Sequence, residues 1–284
     1  GRAMTAGVVF RGVVLGGVVA AGLVMAGCGQ PDEDRADGSD TSREPGSAGG
    51  TMVVSYDEAT TPEAANGRKI LRDNELLEEL AAAINDTLIL PHDVTLRGAE
   101  CGEPNAYWNS DENTVTLCYE DADAAFRTFT DDGEADPTTA TLNAETATFY
   151  HEVGHMVISL YDLPVTGREE DAADQLAAYV LLEPGADGRP DEESVQAVKD
   201  FARTFQAVAD ERDELDVEDL ADEHSLDETR VYNLQCWIYG ADPAHNQDLV
   251  GEDGLPPSRA DGCGEEWRRV EKAWSTLLEP HLKR

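Results

Sequence analysis

Ala144-Glu145-Thr146-Ala147-Thr148-Phe149-Tyr150-His151-Glu152-Val153-Gly154-His155-Met156-Val157-Ile158-Ser159-Leu160 contains no proline and reads as one helix. Inside it, His151-Glu152-Val153-Gly154-His155 sets two histidines four positions apart. On an α-helix such residues lie about 6 Å apart along the axis and on nearly the same face, so both imidazoles can reach one metal ion. Glu152 then stands beside the metal, where a carboxylate can polarise a bound water. Only three of the five positions are specified, and a solvated ion-pair face can carry the same letters. The surroundings therefore decide.

Leu163-Pro164-Val165-Thr166-Gly167 reads as a helix stop and turn, and helical character resumes from Arg168 to Leu182. Two helices joined by so short a connection must pack against each other. Glu170 sits in the first turn of the second helix and with Asp174 makes Glu-x-x-x-Asp. A charged first turn ordinarily compensates the helix dipole, and Glu169 and Asp171 rival Glu170 as a metal ligand.

Before this helix pair the chain reads as strands mixed with one helix. Met52 to Tyr56 and Val94 to Leu96 are short β-branched strands, and Gly67 to Ile84 is one amphipathic helix. Ala106-Tyr107-Trp108 and Val115 to Tyr119 form a hairpin about a polar turn. Afterwards come helices: Asp121 to Thr130, the metal-site pair, Glu192 to Ala209, Leu226 to Tyr239 and Glu265 to Leu278. That order predicts an α+β fold, with a small sheet whose edge strand lies beside the metal-site helix and a mainly helical C-terminal part.

The formal net charge of -38 disfavours nucleic acid and anionic surfaces as partners. Arg2 and Arg11 precede an apolar run, Gly12 to Val24, too short for a comfortable membrane span and laid out like a secretory signal peptide. It ends in Met25-Ala26-Gly27-Cys28, which resembles a bacterial lipobox with Met25 in place of the usual leucine. The resemblance implies a signal peptide over 1–27, lipid on Cys28, and export to the outer face of the bacterial cell membrane. Residues 28–50 are too poor in apolar side chains to order and read as a disordered tether. A single domain follows over 51–284. Cys101, Cys118, Cys236 and Cys263 remain, and an even number in an exported chain predicts two disulfides. Of three connectivities, the local pairing of Cys101 with Cys118 and Cys236 with Cys263 is favoured. Their spacings do not suit a cysteine zinc site.

HExxH with a downstream Glu-x-x-x-Asp resembles the gluzincin class of peptidases. Carried over residue by residue, the resemblance makes His151, His155 and Glu170 ligands of one Zn²⁺ per chain, Glu152 the general base, and Asp174 the carboxylate that orients a ligand histidine. Asn105-Ala106-Tyr107-Trp108 resembles the edge strand of thermolysin-like enzymes, where backbone groups pair with an extended peptide, and so implies that Asn105 and Ala106 bind substrate. Those enzymes also use a downstream histidine as oxyanion donor. His224 is the candidate, oriented by Asp219 or Asp222, with Arg230 and Tyr232 as alternatives. His92, His245 and His281 read as surface residues. The chain from about residue 51 further resembles a bacterial metallopeptidase family catalogued as domain of unknown function 4344. That resemblance is carried by Cys101-Gly102 with Asn105-Ala106, Leu117-Cys118-Tyr119-Glu120, the HEVGH segment, Leu163 to Asp174, Asp222 to Leu226, Tyr232 to Cys236 and Leu255 to Ala260. The spacing from His155 to Glu170 is shorter than in thermolysin-like enzymes, so their specificity pocket does not transfer. The expectation is a lipid-anchored, extracytoplasmic zinc peptidase acting on peptides or proteins. The alternative is a lipoprotein that holds zinc or a peptide without turnover.

Overall fold

A computed structural model describes residues 49–284. The signal peptide, Cys28 and nearly all of the tether lie outside the described residues. The fold is α+β: a four-stranded sheet on one side and a predominantly helical remainder.

The strands are β1 (Met52–Tyr56), β2 (Val94–Ala99), β3 (Ala106–Asn109) and β4 (Thr114–Cys118), in the order β1-β2-β4-β3. β3 and β4 form the antiparallel hairpin the sequence predicts, with Tyr107 opposite Thr116. β1, β2 and β4 run parallel, which no local pattern announces, because parallel neighbours are joined only through long crossovers. All five residues of β4 are buried, whereas the edge strand β3 has none fully buried. That contrast leaves one backbone edge of β3 open.

The helix expected over Gly67 to Ile84 is two, α1 (Pro62–Asp73) and α2 (Leu76–Thr87). The chain breaks at Asn74-Glu75. Asn74 Nδ2 donates to the Ile70 carbonyl at 2.7 Å, and Glu75 turns left-handed at φ 53°. Apolar residues on both sides of the break mimic one continuous stripe, while α1 packs on a later helix and α2 on β1.

After β4 come α3 (Tyr119–Asp131), α4 (Pro137–Tyr161), α5 (Glu169–Leu181), α6 (Glu192–Glu211), α7 (Val217–Ala221), α8 (Asp227–Ala241) and α9 (Pro257–Leu278). α9 begins well before the predicted Glu265, because a proline in the first turn suits a helix start as well as it suits a loop. α4 is the centre of the molecule, capped by the Asp136 side chain on Thr139 N at 3.1 Å and closed by a left-handed Asp162. α3, α5 and α6 pack against it, and β3 and β4 lie across it. One large apolar core joins the inner face of the sheet to these helices. Disulfides Cys101–Cys118 and Cys236–Cys263 tie the loop after β2 to the end of β4, and α8 to α9.

Candidate metal centre and active site

His151 and His155 project from α4 toward the start of α5. The approach of the two helices is set by Gly154, between the histidines. A Cβ there would stand 2.7 Å from the Ala173 Cα, so hydrogen is the only side chain this contact admits. Close packing brings Glu170 to both imidazoles: one carboxylate oxygen is 3.1 Å from His151 Nε2 and the other 3.2 Å from His155 Nε2. The two Nε2 atoms are 3.3 Å apart.

The outer nitrogen of each ring is already engaged. His151 Nδ1 donates to Asp174 Oδ1 at 2.8 Å, and His155 Nδ1 donates to Glu169 Oε1 at 2.8 Å. When both rings are neutral with their protons held there, the two Nε2 atoms carry lone pairs and face each other and a carboxylate, so that only a cation, a proton or a metal ion, satisfies the arrangement. Glu170 Oε2 is buried, and besides His151 only His224 Nε2, at 3.0 Å, approaches it. A cation among them satisfies all three groups. Ligands at about 2.0–2.1 Å in tetrahedral array stand roughly 3.3 Å from one another, which matches the separation of the two Nε2 atoms, while Glu170 turns one oxygen toward each of them. The donor set of His151, His155 and Glu170 therefore fits a metal such as zinc.

The electrostatics ask for positive charge. Burial opposes charge on His151, yet Asp174 and Glu170 carry it up to about 9; Glu170 and Glu169 do the same for His155, also against burial. Asp174, itself buried, is held down to about 2 by Arg230 and His151. Burial would raise Glu170, but the three imidazoles around it, His151, His155 and His224, hold it well below the carboxylate range when they carry protons toward it. Arg230, on α8, closes this layer with two hydrogen bonds to Asp174, and its guanidinium lies 3.7 Å over the Phe205 ring.

Glu152 sits at the mouth of this cluster, with its carboxylate 4.0 Å from His151 Nε2. Burial pushes its carboxyl above the ordinary value against the pull of both histidines, and the Trp108 backbone N–H of β3 steadies the ionised form. A cleft of about 800 Å³ opens here, lined among others by Asn105, Ala106, His151, Glu152 and His224. Asn105 and Ala106 thus lie on its wall at the free edge of the sheet.

His224 arrives from the loop between α7 and α8. Its Nε2 is 3.0 Å from Glu170 Oε2, and its Nδ1 is 2.8 Å from Asp222 Oδ1; the bond to Glu170 and then the one to Asp222 raise its pKa. Asp222 is thus the orienting acid, while Asp219 closes the α7 capping box. The loop is moored to α5: Arg168 Nη1 donates to the carbonyls of Asp222, Glu223 and His224, and Ser225 Oγ donates to Asp171 Oδ1 at 2.7 Å. Asp171 is therefore occupied elsewhere, and Glu169 holds an outer nitrogen, which leaves Glu170 alone of the three facing the metal position. Of the alternatives to His224, Arg230 is committed to Asp174 and Tyr232 is exposed on α8. His281, expected at the surface, is half-buried and stacks on Tyr161, with ring centroids 3.7 Å apart.

Glu169 and Arg230 bond to His155 and to Asp174, contacts that sequence patterns alone do not assign. Their signal is thin: one acid among three at a helix start, and one arginine whose acidic partner lies 56 residues away.

No curated protein and no solved structure gives a significant match to this chain. One family model does, over residues 56–278, and its members are described as putative metallopeptidases. The chain belongs to that family, domain of unknown function 4344.

Proposed function

We propose that the protein is a gluzincin-type zinc peptidase, with His151, His155 and Glu170 as ligands and Glu152 as general base. The observation that carries this reading is the set of three acceptor groups facing one another at 3.1–3.3 Å, with the outer nitrogen of each histidine bonded to an acid. A bound zinc ion supplies Lewis acidity, which polarises a carbonyl and acidifies water. The remaining work falls to the chain. An extended peptide pairs with the open edge of β3, where Asn105 and Ala106 meet its backbone. Glu152, made more basic by burial and held in place by the Trp108 N–H, accepts the proton of the attacking water and returns it to the departing amine. His224, aligned by Asp222, turns its Nε2–H to the carbonyl oxygen as negative charge develops there. Asp174 and Glu169 keep the ligand imidazoles in the tautomer that presents Nε2.

Metal analysis of the purified protein tests the site. About one zinc per chain is expected, lost in His151→Ala and His155→Ala and weakened in Glu170→Ala. Equal zinc content in wild type and both histidine variants would contradict it.

We further propose that the enzyme is exported and anchored to the outer face of the bacterial membrane through lipid on Cys28. The support is the sequence of residues 12–28. Cys28→Ser should release or misprocess the protein; unchanged membrane fractionation with an unchanged N-terminal mass would contradict the anchor.

A further inference from the structure

Glu145 lies on α4 two turns before Glu152, on the same face of the helix and about 10 Å away along the axis. It is 1 % exposed, and neither of its carboxylate oxygens has a hydrogen-bond donor. Its side-chain partner is another acid, Asp121 of α3, and no lysine, arginine or histidine pairs with either carboxyl among the described residues. Asp121 forms part of the wall of the active-site cleft, which Asn105, Ala106 and Thr148 also line. One carboxyl therefore faces the cleft and the second stands directly behind it.

The pair is costly as a piece of structure. Two carboxyls in contact inside a protein must share a proton or repel, and a glutamine at 145 would donate to Asp121 and remove the conflict. Local rules broken without compensation mark functional positions. The two arginines on the cleft wall cannot serve as counter-ions: Arg127 is bound to Asp123 at 2.7 Å and Arg230 to Asp174. Asp131, Asp210 and Glu211 add further acids around the same cleft, so its field attracts positive charge.

We propose that Asp121, backed by Glu145, is a recognition subsite for a cationic group of the substrate: the ammonium or guanidinium of a lysine or arginine near the scissile bond. The long, flexible stem of such a side chain carries its charge away from a peptide lying on β3 to another part of the same cleft wall. This inference rests on the peptidase reading for the placement of the peptide, and the test is arranged so that the two fail separately.

The zinc-loaded full-length Glu152→Gln protein is titrated calorimetrically with N-acetylated peptides that differ only in lysine against norleucine at one position after another. Binding is thus read without hydrolysis. At the position facing Asp121, the lysine peptide should bind about tenfold more tightly or better, as expected for a partly desolvated charge pair. Adding Glu145→Gln or Asp121→Asn should bring the ratio close to one. Glu145→Gln is nearly isosteric, and Asp121→Asn changes the cleft wall alone, so a folding defect in one leaves the other informative. A parallel series without lysine but with a free N-terminus asks whether the cation can be the end of the chain; acetylation abolishing a tenfold preference in that series also supports the subsite. Equal affinity for charged and neutral peptides, or a preference that persists in both variants, would overturn the proposal. If wild type cleaves no peptide while the lysine preference persists, the peptidase reading falls and the subsite stands. Cleavage indifferent to basic residues does the opposite: it removes the subsite and leaves the peptidase.

Discussion

The Arg230 guanidinium grips Asp174 through two hydrogen bonds, Nε to Oδ2 at 2.8 Å and Nη2 to Oδ1 at 2.7 Å. Because Asp174 Oδ1 also accepts from His151 Nδ1, the arginine lies directly behind a proposed metal ligand. Both partners are buried, so the pair matters chiefly through what is left when one is removed. Arg230→Met should destabilise the fold by about 3–5 kcal/mol, the usual penalty for a buried charge without its counter-ion. It should also weaken zinc binding by roughly 10–100-fold as His151 loses its orientation. Denaturant unfolding and competitive zinc titration measure the two effects. An unchanged zinc affinity would show that Asp174 orients His151 without help from α8.

Gly154 offers a second, purely steric test. Its would-be Cβ meets the backbone of Ala173, not a movable side-chain end, so α4 and α5 must part to admit a methyl group. Gly154→Ala should cost about 1–3 kcal/mol despite the better helix propensity of alanine. Since α5 carries Glu170, zinc affinity should fall with it. A variant as stable as wild type that binds zinc equally well would mean the helix spacing does not position the carboxylate.

The Asp121–Glu145 pair makes stability depend on pH with a definite sign. Burial, followed by the proximity of Asp121, raises the Glu145 carboxyl well above its ordinary value of 4.5, so the folded protein keeps a proton that the unfolded chain has released. The folded state binds more protons over that window. The stability linked to this group is therefore complete below about pH 4.5 and declines as pH rises toward the folded-state value. Glu145→Gln, which has no proton to lose, should flatten the melting temperature against pH above 4.5 and raise it at neutral pH. Parallel profiles for wild type and variant would show that the pair is not strained.

Legibility followed sequence distance. The helix that carries both histidines and the turn after it were readable from one local stretch, because two histidines four apart have one geometric consequence on a helix. Glu170 stands among rival acids at the start of the next helix and is singled out only by resemblance. The β3–β4 hairpin was readable for the same reason, a polar turn between two alternating runs. The parallel alignment of β1, β2 and β4 was not, since it depends on how far crossovers carry the chain. Neither was the break at Glu75, where apolar residues continue at nearly helical spacing and only a left-handed backbone marks the end. The charged residues were hardest. With 59 acids in the chain, nothing distinguishes a buried Glu145 or an orienting Glu169 from a solvated one. The one available cue for Glu145 was its place in an alanine- and threonine-rich helix, seven residues before Glu152.

Glu152→Gln separates turnover from metal binding more sharply than any other substitution, because Glu152 is assigned to proton transfer and not to the metal. Zinc content and turnover are measured together on a peptide that wild type cleaves. Wild-type zinc stoichiometry and unchanged folding are expected, with kcat lowered by about 10²–10⁴, the usual contribution of a positioned base. A variant that holds zinc and cleaves as fast as wild type would contradict the proposed mechanism.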